Sequence, residues 1–208
     1  MKVDYTLYAI TDDAMAPELL PRAVEEAILG GATIVQLRKK NITTREYLHL
    51  AQAVKEATDR HGIPLIINDR LDIALAVDAA GLHVGDDDLP VDVARRLLGP
   101  TKILGVSADS PEKAKTAEAQ GATYLGVGAV YPTPSKADAG LPIGLSGLSQ
   151  VIQAASLPVV AIGGINLANC YEVRKQGAAG MAVISALFGA SDIKSAAAEL
   201  RRAWDGIQ

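Results

Sequence analysis

The sequence alternates between short apolar runs rich in β-branched residues and longer segments of helical periodicity, and this pattern occurs eight times. The predicted strands cover residues 6–11, 33–38, 64–68, 81–84, 102–106, 124–127, 158–162 and 180–184. Strands that alternate with helices are typical of parallel βαβ units, because parallel neighbours need a long crossover connection. An open doubly wound sheet shows the same alternation, but eight units in 208 residues favour closure into a (β/α)₈ TIM barrel.

Helical segments are predicted over residues 18–29, 44–60, 91–98, 111–119, 145–155, 167–175 and 193–204. Thr43 or Thr44, with Glu46 just inside the helix, is a typical helix start. Glycines follow several of these segments, where a residue with left-handed backbone is usual, and they are Gly30, Gly62, Gly121 and Gly177.

The composition indicates one folded domain over residues 1–208, with 49% hydrophobic and 21% charged residues. A net charge of −4 supplies no broad positive field, so we expect no nucleic-acid partner. No segment approaches the roughly 18 apolar residues of a spanning helix, and no signal peptide is evident. We therefore expect a cytoplasmic protein without a membrane partner; a homo-oligomer is compatible with the sequence. The single cysteine, Cys170, is expected to be a buried structural thiol.

Polar residues at the ends of the predicted strands are the candidates for chemistry, because active sites of such barrels lie at the carboxyl ends of the strands. After the second strand, alternation along an extended chain places Gln36, Arg38 and Lys40 on one face. Basic residues at a strand end are often only solvated. Gln36 within an apolar run argues against that interpretation.

Carboxylates follow the third and fourth strands, at Asp69 and in the run 86–88. Because these strands are neighbours in a barrel, their carboxylates could approach one Mg²⁺ and leave positions for water and phosphate. The alternative is that Asp69 caps the third helix and that Asp87 or Asp88 caps the fourth. Spacing alone leaves both interpretations open.

The loops after strands six to eight are typical of anion binding. Residues 131–144 form a long irregular stretch, which could act as a lid, and residues 163–164 are a diglycine after strand seven. Glycines let backbone N–H groups approach a phosphate closely, although a tight strand-to-helix turn needs them too. The site is thus predicted to have a diphosphate end near strands two to four and a monophosphate end near strands seven and eight.

Eight motifs in this order and spacing resemble the thiamine-phosphate synthase family over nearly the whole chain: LYAITD at 7–12, QLRKK at 36–40, INDR at 67–70, GLHVG at 81–85, GVS at 105–107, GVG at 126–128, AIGGI at 161–165 and VISA at 183–186. The resemblance implies transfer of a hydroxymethylpyrimidine group from its diphosphate to the nitrogen of a thiazole phosphate. Pyrophosphate would leave first, producing a pyrimidine carbocation.

The resemblance also implies roles for individual residues, with Lys136, Arg38 and Lys40 as the catalytic cations. The pyrimidine diphosphate would be bound by Gln36, Arg38, Lys40, Asn68, Ser107 and Lys136. Mg²⁺ would be held by Asp69 and Asp88. The thiazole phosphate would be bound by Thr133, Ser135, Gly164, Ile184 and Ser185.

Two positions depart from the family pattern: Asp109 stands where His is common, and Asp86 where Gln is common. His83, in the fourth strand, is interpreted as a core or barrel-wall histidine. The rival functions are a thiazole tautomerase-like isomerase and a non-catalytic barrel that binds thiamine precursors. The paired aspartates and the loop lysine favour the transferase over both.

Overall fold

The computed structural model describes residues 3–135 and 140–207, and within them eight parallel strands close into a barrel. Each strand pairs with the next along the chain, and the eighth pairs with the first. The strands are β1 (Leu7–Ile10), β2 (Ile34–Leu37), β3 (Leu65–Asn68), β4 (Gly81–Val84), β5 (Ile103–Ser107), β6 (Tyr124–Val127), β7 (Val159–Ile162) and β8 (Gly180–Val183). The predicted (β/α)₈ barrel is confirmed.

Helices surround this barrel, and a 3₁₀ turn at Pro17–Leu19 precedes the first of them. They are α1 (Leu20–Leu29), α2 (Thr44–Arg60), α3 (Leu71–Ala76), α4 (Val91–Leu98), α5 (Pro111–Ala119), α6 (Gly144–Ala154), α7 (Cys170–Lys175), α8 (Ser185–Phe188) and α9 (Ile193–Asp205). Helices α2, α4 and α5 have the predicted bounds. No range was predicted for α8 or for α3, the helix that Asp69 was considered to cap, because each is too short to show a periodic pattern.

The ends of the helices follow their local sequence with one exception. Thr43 caps α2 and forms a reciprocal capping box with Glu46. Gly62, Gly121 and Gly177 have positive φ angles, as expected. Gly30 does not: its φ is −86°, and the left-handed residue is Gly31, with φ 114°. A Cβ at Gly30 would lie 2.3 Å from the carbonyl oxygen of Lys194, so this glycine is required for contact with α9.

Side chains of the strands point alternately out toward the helices and into the barrel. The outward set, for example Leu7 and Val35, joins the main hydrophobic core under the helices. The inward set, with Tyr8, Ile66 and Tyr124, forms a smaller cluster inside the barrel. This inner cluster is the floor beneath the carboxyl ends of the strands.

The structure also bears on the single cysteine and on membrane-spanning helices. Cys170 is buried, as predicted, and burial raises the pKa of its thiol. In the part of the chain that the structure describes, no helix is long and apolar enough to cross a membrane.

Candidate active site

A cavity of about 710 Å³ opens at the carboxyl ends of the strands. Its lining brings together nearly all described residues that the sequence predicted for the site: Arg38, Lys40, Asn68, Asp69, Asp88, Ser107, Thr133, Ser135, Gly164, Ile184 and Ser185. Gln36 is the exception and lies one layer deeper. Lys136 lies outside the described residues, as do residues 137–139 of the predicted lid.

The basic side of the cavity is built on the loop after β2. Arg38 is only 6% exposed, and its backbone is held by Thr11 at the tip of β1. The Thr11 hydroxyl accepts from the Arg38 amide at 2.9 Å and donates to the Arg38 carbonyl at 2.8 Å. Asp13 faces the Arg38 guanidinium at 3.6 Å and accepts from the Lys40 amide at 2.8 Å. The loop that presents both cations is therefore fixed by two residues after β1.

Sequence reasoning assigned no role to Thr11 or Asp13, although both follow an apolar strand at the active-site end. We expect Thr11→Val to raise KM for a diphosphate substrate about tenfold, because both hydrogen bonds to Arg38 are lost. The free energy of unfolding should fall by about 1–3 kcal/mol. Thr58→Val is the matched control, since Thr58 is equally buried and its hydroxyl donates to the Lys55 carbonyl within α2, away from the cavity. An equal rise in KM for both variants would contradict the assignment.

The acidic side of the cavity is a close pair of carboxylates, Asp69 after β3 and Asp88 after β4. Burial, followed by the hydrogen bond and the charge of Asp88, raises the pKa of Asp69 to about 6. Asp69 has a left-handed backbone, with φ 63°, which is unusual for a residue other than glycine or asparagine. Asp88 accepts from the Gly85 amide at 2.8 Å, which holds the loop in place.

Neither aspartate caps a helix, so the alternative interpretation of these residues is wrong. The residue before α3 is Arg70 and the residue before α4 is Pro90, and neither helix start has a capping side-chain hydrogen bond. The two carboxylates face the cavity instead. Two like charges held this close repel each other, and a bound cation would relieve that repulsion.

The donor set fits Mg²⁺ better than a metal enclosed by protein ligands. Among residues 3–135 and 140–207, no group of three or more Asp, Glu, His or Cys side chains is placed to hold a metal ion. Mg²⁺ usually takes one or two carboxylates and completes its shell with water and substrate phosphate. Asp69 and Asp88 supply that number, and the adjoining cavity leaves room for phosphate.

The two departures from the family pattern meet at one lysine. Lys113, on α5, lies 2.7 Å from the Asp86 carboxylate and 3.1 Å from the Asp109 carboxylate. The hydrogen bonds that Lys113 donates to Asp86 and then to Asp109 raise the pKa of Lys113. Lys113 thus offsets part of the negative charge of these two carboxylates at the rim.

Opposite the acidic pair, the loops after β6, β7 and β8 form the second end of the cavity. Gly163 and Gly164 have φ angles of 100° and 63°, and two amide side chains, Asn166 and Asn169, donate to the Gly164 carbonyl at 3.3 and 3.0 Å. Sequence reasoning missed both asparagines. The hydroxyls of Ser135 and Ser185 lie 3.1 Å apart and join the β6 and β8 loops.

Beneath the cavity, polar side chains continue into the barrel. Gln36 is 1% exposed, and its Nε2 donates to the Tyr8 hydroxyl at 3.0 Å. The Tyr8 and Tyr124 hydroxyls lie 2.7 Å apart, and burial raises the pKa of both. His83 joins Tyr124 to Ser107, at 2.9 and 3.0 Å from its two ring nitrogens. His83 is in the barrel wall, as interpreted, but it also lines the cavity.

Comparison with known proteins gives consistent results at the level of family, sequence and fold. The family model described as "Thiamine monophosphate synthase" matches residues 7–187. A thiamine-phosphate synthase of Chloroflexus aurantiacus is 52% identical over 200 residues, covering 96% of this chain and 92% of that protein. One of Syntrophomonas wolfei is 50% identical over 203 residues, covering 97% of each. The solved thiamine phosphate pyrophosphorylase of Pyrococcus furiosus superposes with a TM-score of 0.89 at 43% identity, over 98% of this chain and 97% of that one.

Proposed function

The chain belongs to the thiamine monophosphate synthase family, and we propose that its cavity joins two phosphorylated substrates held at opposite ends. The activity is that of a thiamine-phosphate synthase, a transferase that acts on small molecules. It moves a hydroxymethylpyrimidine group from its diphosphate to the nitrogen of a thiazole phosphate. The observation that supports the two-ended arrangement is that β3, with the acidic pair, and β7, with the diglycine, lie across the closed barrel from each other.

The diphosphate end is the side formed by β2, β3 and β4. Arg38 and Lys40 provide positive charge there, and Asn68 is a neutral polar group next to Asp69. Asp69 and Asp88 would hold Mg²⁺, which when bound supplies positive charge that stabilises the leaving pyrophosphate. Asp13 faces the Arg38 guanidinium and accepts from the Lys40 backbone amide, which holds the loop that carries both cations.

The monophosphate end is the side formed by the loops after β6, β7 and β8. Gly164, Ile184 and Ser185 would offer backbone contacts to the thiazole phosphate, while Thr133 and Ser135 would offer hydroxyls. The hydrogen bond between Ser135 and Ser185 brings these groups together before a ligand arrives. Preorganisation of this kind lowers the entropy cost of binding.

Bond cleavage at the diphosphate end requires no proton transfer. The carbon–oxygen bond breaks with its electron pair on pyrophosphate, and the thiazole nitrogen then donates its lone pair to the carbocation. The cations at Arg38 and Lys40 stabilise the departing charge. This account agrees with a cavity whose lining is rich in charged side chains.

The rival functions fit the site less well. A tautomerase has no leaving pyrophosphate, and a binding protein does not stabilise a transition state, so neither requires two carboxylates beside buried Arg38. Because both substrates carry phosphate and do not cross membranes unaided, we place the reaction in the cytoplasm. A homo-oligomer stays a prediction.

Incubation of the purified protein with Mg²⁺ and both phosphorylated substrates tests the function. We expect thiamine phosphate and pyrophosphate in equal amounts. Consumption of the thiazole compound alone would indicate an isomerase. Binding of both compounds without product would indicate a sensor.

A further inference from the structure

Five side chains form one continuous hydrogen-bonded chain across the barrel interior, and this chain joins two residues of the pyrimidine side. It runs from Gln36 on β2 through Tyr8 on β1, Tyr124 on β6 and His83 on β4 to Ser107 on β5. Each link is between 2.7 and 3.0 Å. We call Tyr8, Tyr124 and His83 the relay, since Gln36 and Ser107 are its two ends.

The hydrogen bonds of the relay run in one direction, because each tyrosine hydroxyl has only one proton to donate. Gln36 Nε2 donates to the Tyr8 oxygen, so Tyr8 retains its own proton for Tyr124. If Tyr124 donated to Tyr8 instead, the Tyr8 proton would be buried without an acceptor, which costs about 1–3 kcal/mol. Tyr124 must then donate to His83 Nδ1. A neutral imidazole that accepts at Nδ1 carries its proton on Nε2 and donates it to Ser107.

This direction determines what the two ends offer. Ser107 accepts from His83, so its own hydroxyl proton is directed away from the relay. Among the residues that the structure describes, no group donates to the buried Gln36 Oε1. One end is thus a hydrogen-bond donor and the other an acceptor. Both ends line a recess of about 20 Å³ that shares His83, Ser107 and Gly126 with the main cavity.

Two glycines, Gly105 on β5 and Gly126 on β6, leave space for the relay side chains. A Cβ at Gly105 would lie 2.2 Å from Tyr124 Cζ, and a Cβ at Gly126 would lie 2.9 Å from His83 Cε1. These two positions, one on β5 and one on β6, therefore need glycine. Apolar side chains fill the rest of the inner cluster, so the polar chain crosses an otherwise apolar interior. Each of the three relay side chains has a hydrogen-bond partner on both sides, and paired polar groups in such an environment are rigid and specify one arrangement.

We propose that Tyr8, Tyr124 and His83 are positioning residues that present Ser107 as a donor and Gln36 as an acceptor to the pyrimidine ring of the diphosphate substrate. The inference rests on the proposed function, because it places the pyrimidine ring in the main cavity where the recess opens into it. The two ends are coupled. If the hydrogen bond at one end changed direction, every hydrogen bond along the relay would change direction, and the donor and acceptor ends would be exchanged. The relay therefore selects a ring edge that carries a donor and an acceptor in matching order.

Tyr124→Phe tests the proposal in the active enzyme, because it removes the central oxygen and keeps the ring. We expect KM for the pyrimidine diphosphate to rise about tenfold, the effect of about 1.4 kcal/mol. KM for the thiazole phosphate should be unchanged. Tyr5→Phe is the matched control, since Tyr5 lies in the same inner cluster, 4.9 Å from the Tyr124 ring, and takes no part in the relay. Equal changes in both KM values, or the same result for both variants, would overturn the proposal.

Nitrogen-15 NMR of the unliganded wild-type protein gives a readout that depends on neither activity nor a variant. His83 should show one tautomer, with a bare Nδ1 and a proton on Nε2. The other two histidines, His49 and His61, are exposed, so the buried ring is distinguishable. A proton on Nδ1, or a mixture of tautomers, would refute the relay. Absence of thiamine phosphate from the wild-type assay would refute only the function, since the tautomer does not depend on it.

Discussion

Asp69→Asn is expected to lower kcat by a factor of about 10³, the upper range for loss of one preorganised electrostatic contact. The variant would lose half of the carboxylate pair, and with it the proposed hold on Mg²⁺ beside the leaving pyrophosphate. Added Mg²⁺ should restore little of the activity. Steady-state kinetics over a Mg²⁺ series measure both effects. Asp69→Ala should lose activity on a similar scale.

Asparagine at position 69 is expected to disturb the structure less than alanine. Asp69 has φ 63°, and asparagine tolerates this left-handed backbone better than alanine does. Loss of the charge also relieves repulsion from Asp88 in the metal-free protein. We therefore expect no loss of thermal stability, which separates a catalytic defect from unfolding. Asp92→Asn removes one exposed carboxylate on α4 and controls for net charge. Full turnover by Asp69→Asn in the presence of a chelator would exclude the metal assignment.

Gly164→Val is expected to weaken binding of the thiazole phosphate about 100-fold, or roughly 2.7 kcal/mol. Gly164 has φ 63°, and a Cβ there would lie 2.6 Å from the Pro132 carbonyl oxygen and 2.7 Å from Tyr131 Cβ. The new side chain therefore displaces the start of the β6 loop, which carries Thr133 and Ser135. Isothermal titration with the thiazole phosphate measures the loss.

Backbone strain alone would also destabilise this variant, so the control must carry the same strain elsewhere. Gly62, at the end of α2, has φ 65° and open space around its Cβ position. Gly62→Val should lose stability and retain affinity for the thiazole phosphate. If both variants bind the thiazole phosphate normally, the phosphate lies at another part of the cavity.

The sequence alone determined the order of the elements and the positions of the strand tips. Apolar runs of four to six residues and helical periodicity are local properties of the chain, so the eight units and the barrel class could be predicted. Placement of active-site residues at strand tips followed from the barrel. For that reason Arg38, Asp69, Asp88 and Gly164 were identified, and the cavity contains all of them.

Only the tertiary structure decided which of these side chains meet. Lys113 forms an ion pair with Asp86 because α5 and the loop after β4 are neighbours, and spacing along the chain does not show this pairing. The interpretation of Asp69 as a cap or a ligand depended likewise on where α3 begins. Gly30 is required by α9, which is more than 160 residues away in sequence.

The relay in the barrel interior also could not be predicted from the sequence alone. Tyr8, Tyr124 and His83 each look like ordinary inward residues of apolar strands, and 116 residues separate the two tyrosines. Their hydroxyls meet because barrel closure brings the inner faces of β1, β4 and β6 within hydrogen-bond distance. Local periodicity specifies which face a side chain occupies. Its partners across the barrel follow from strand register and closure, which are properties of the whole fold.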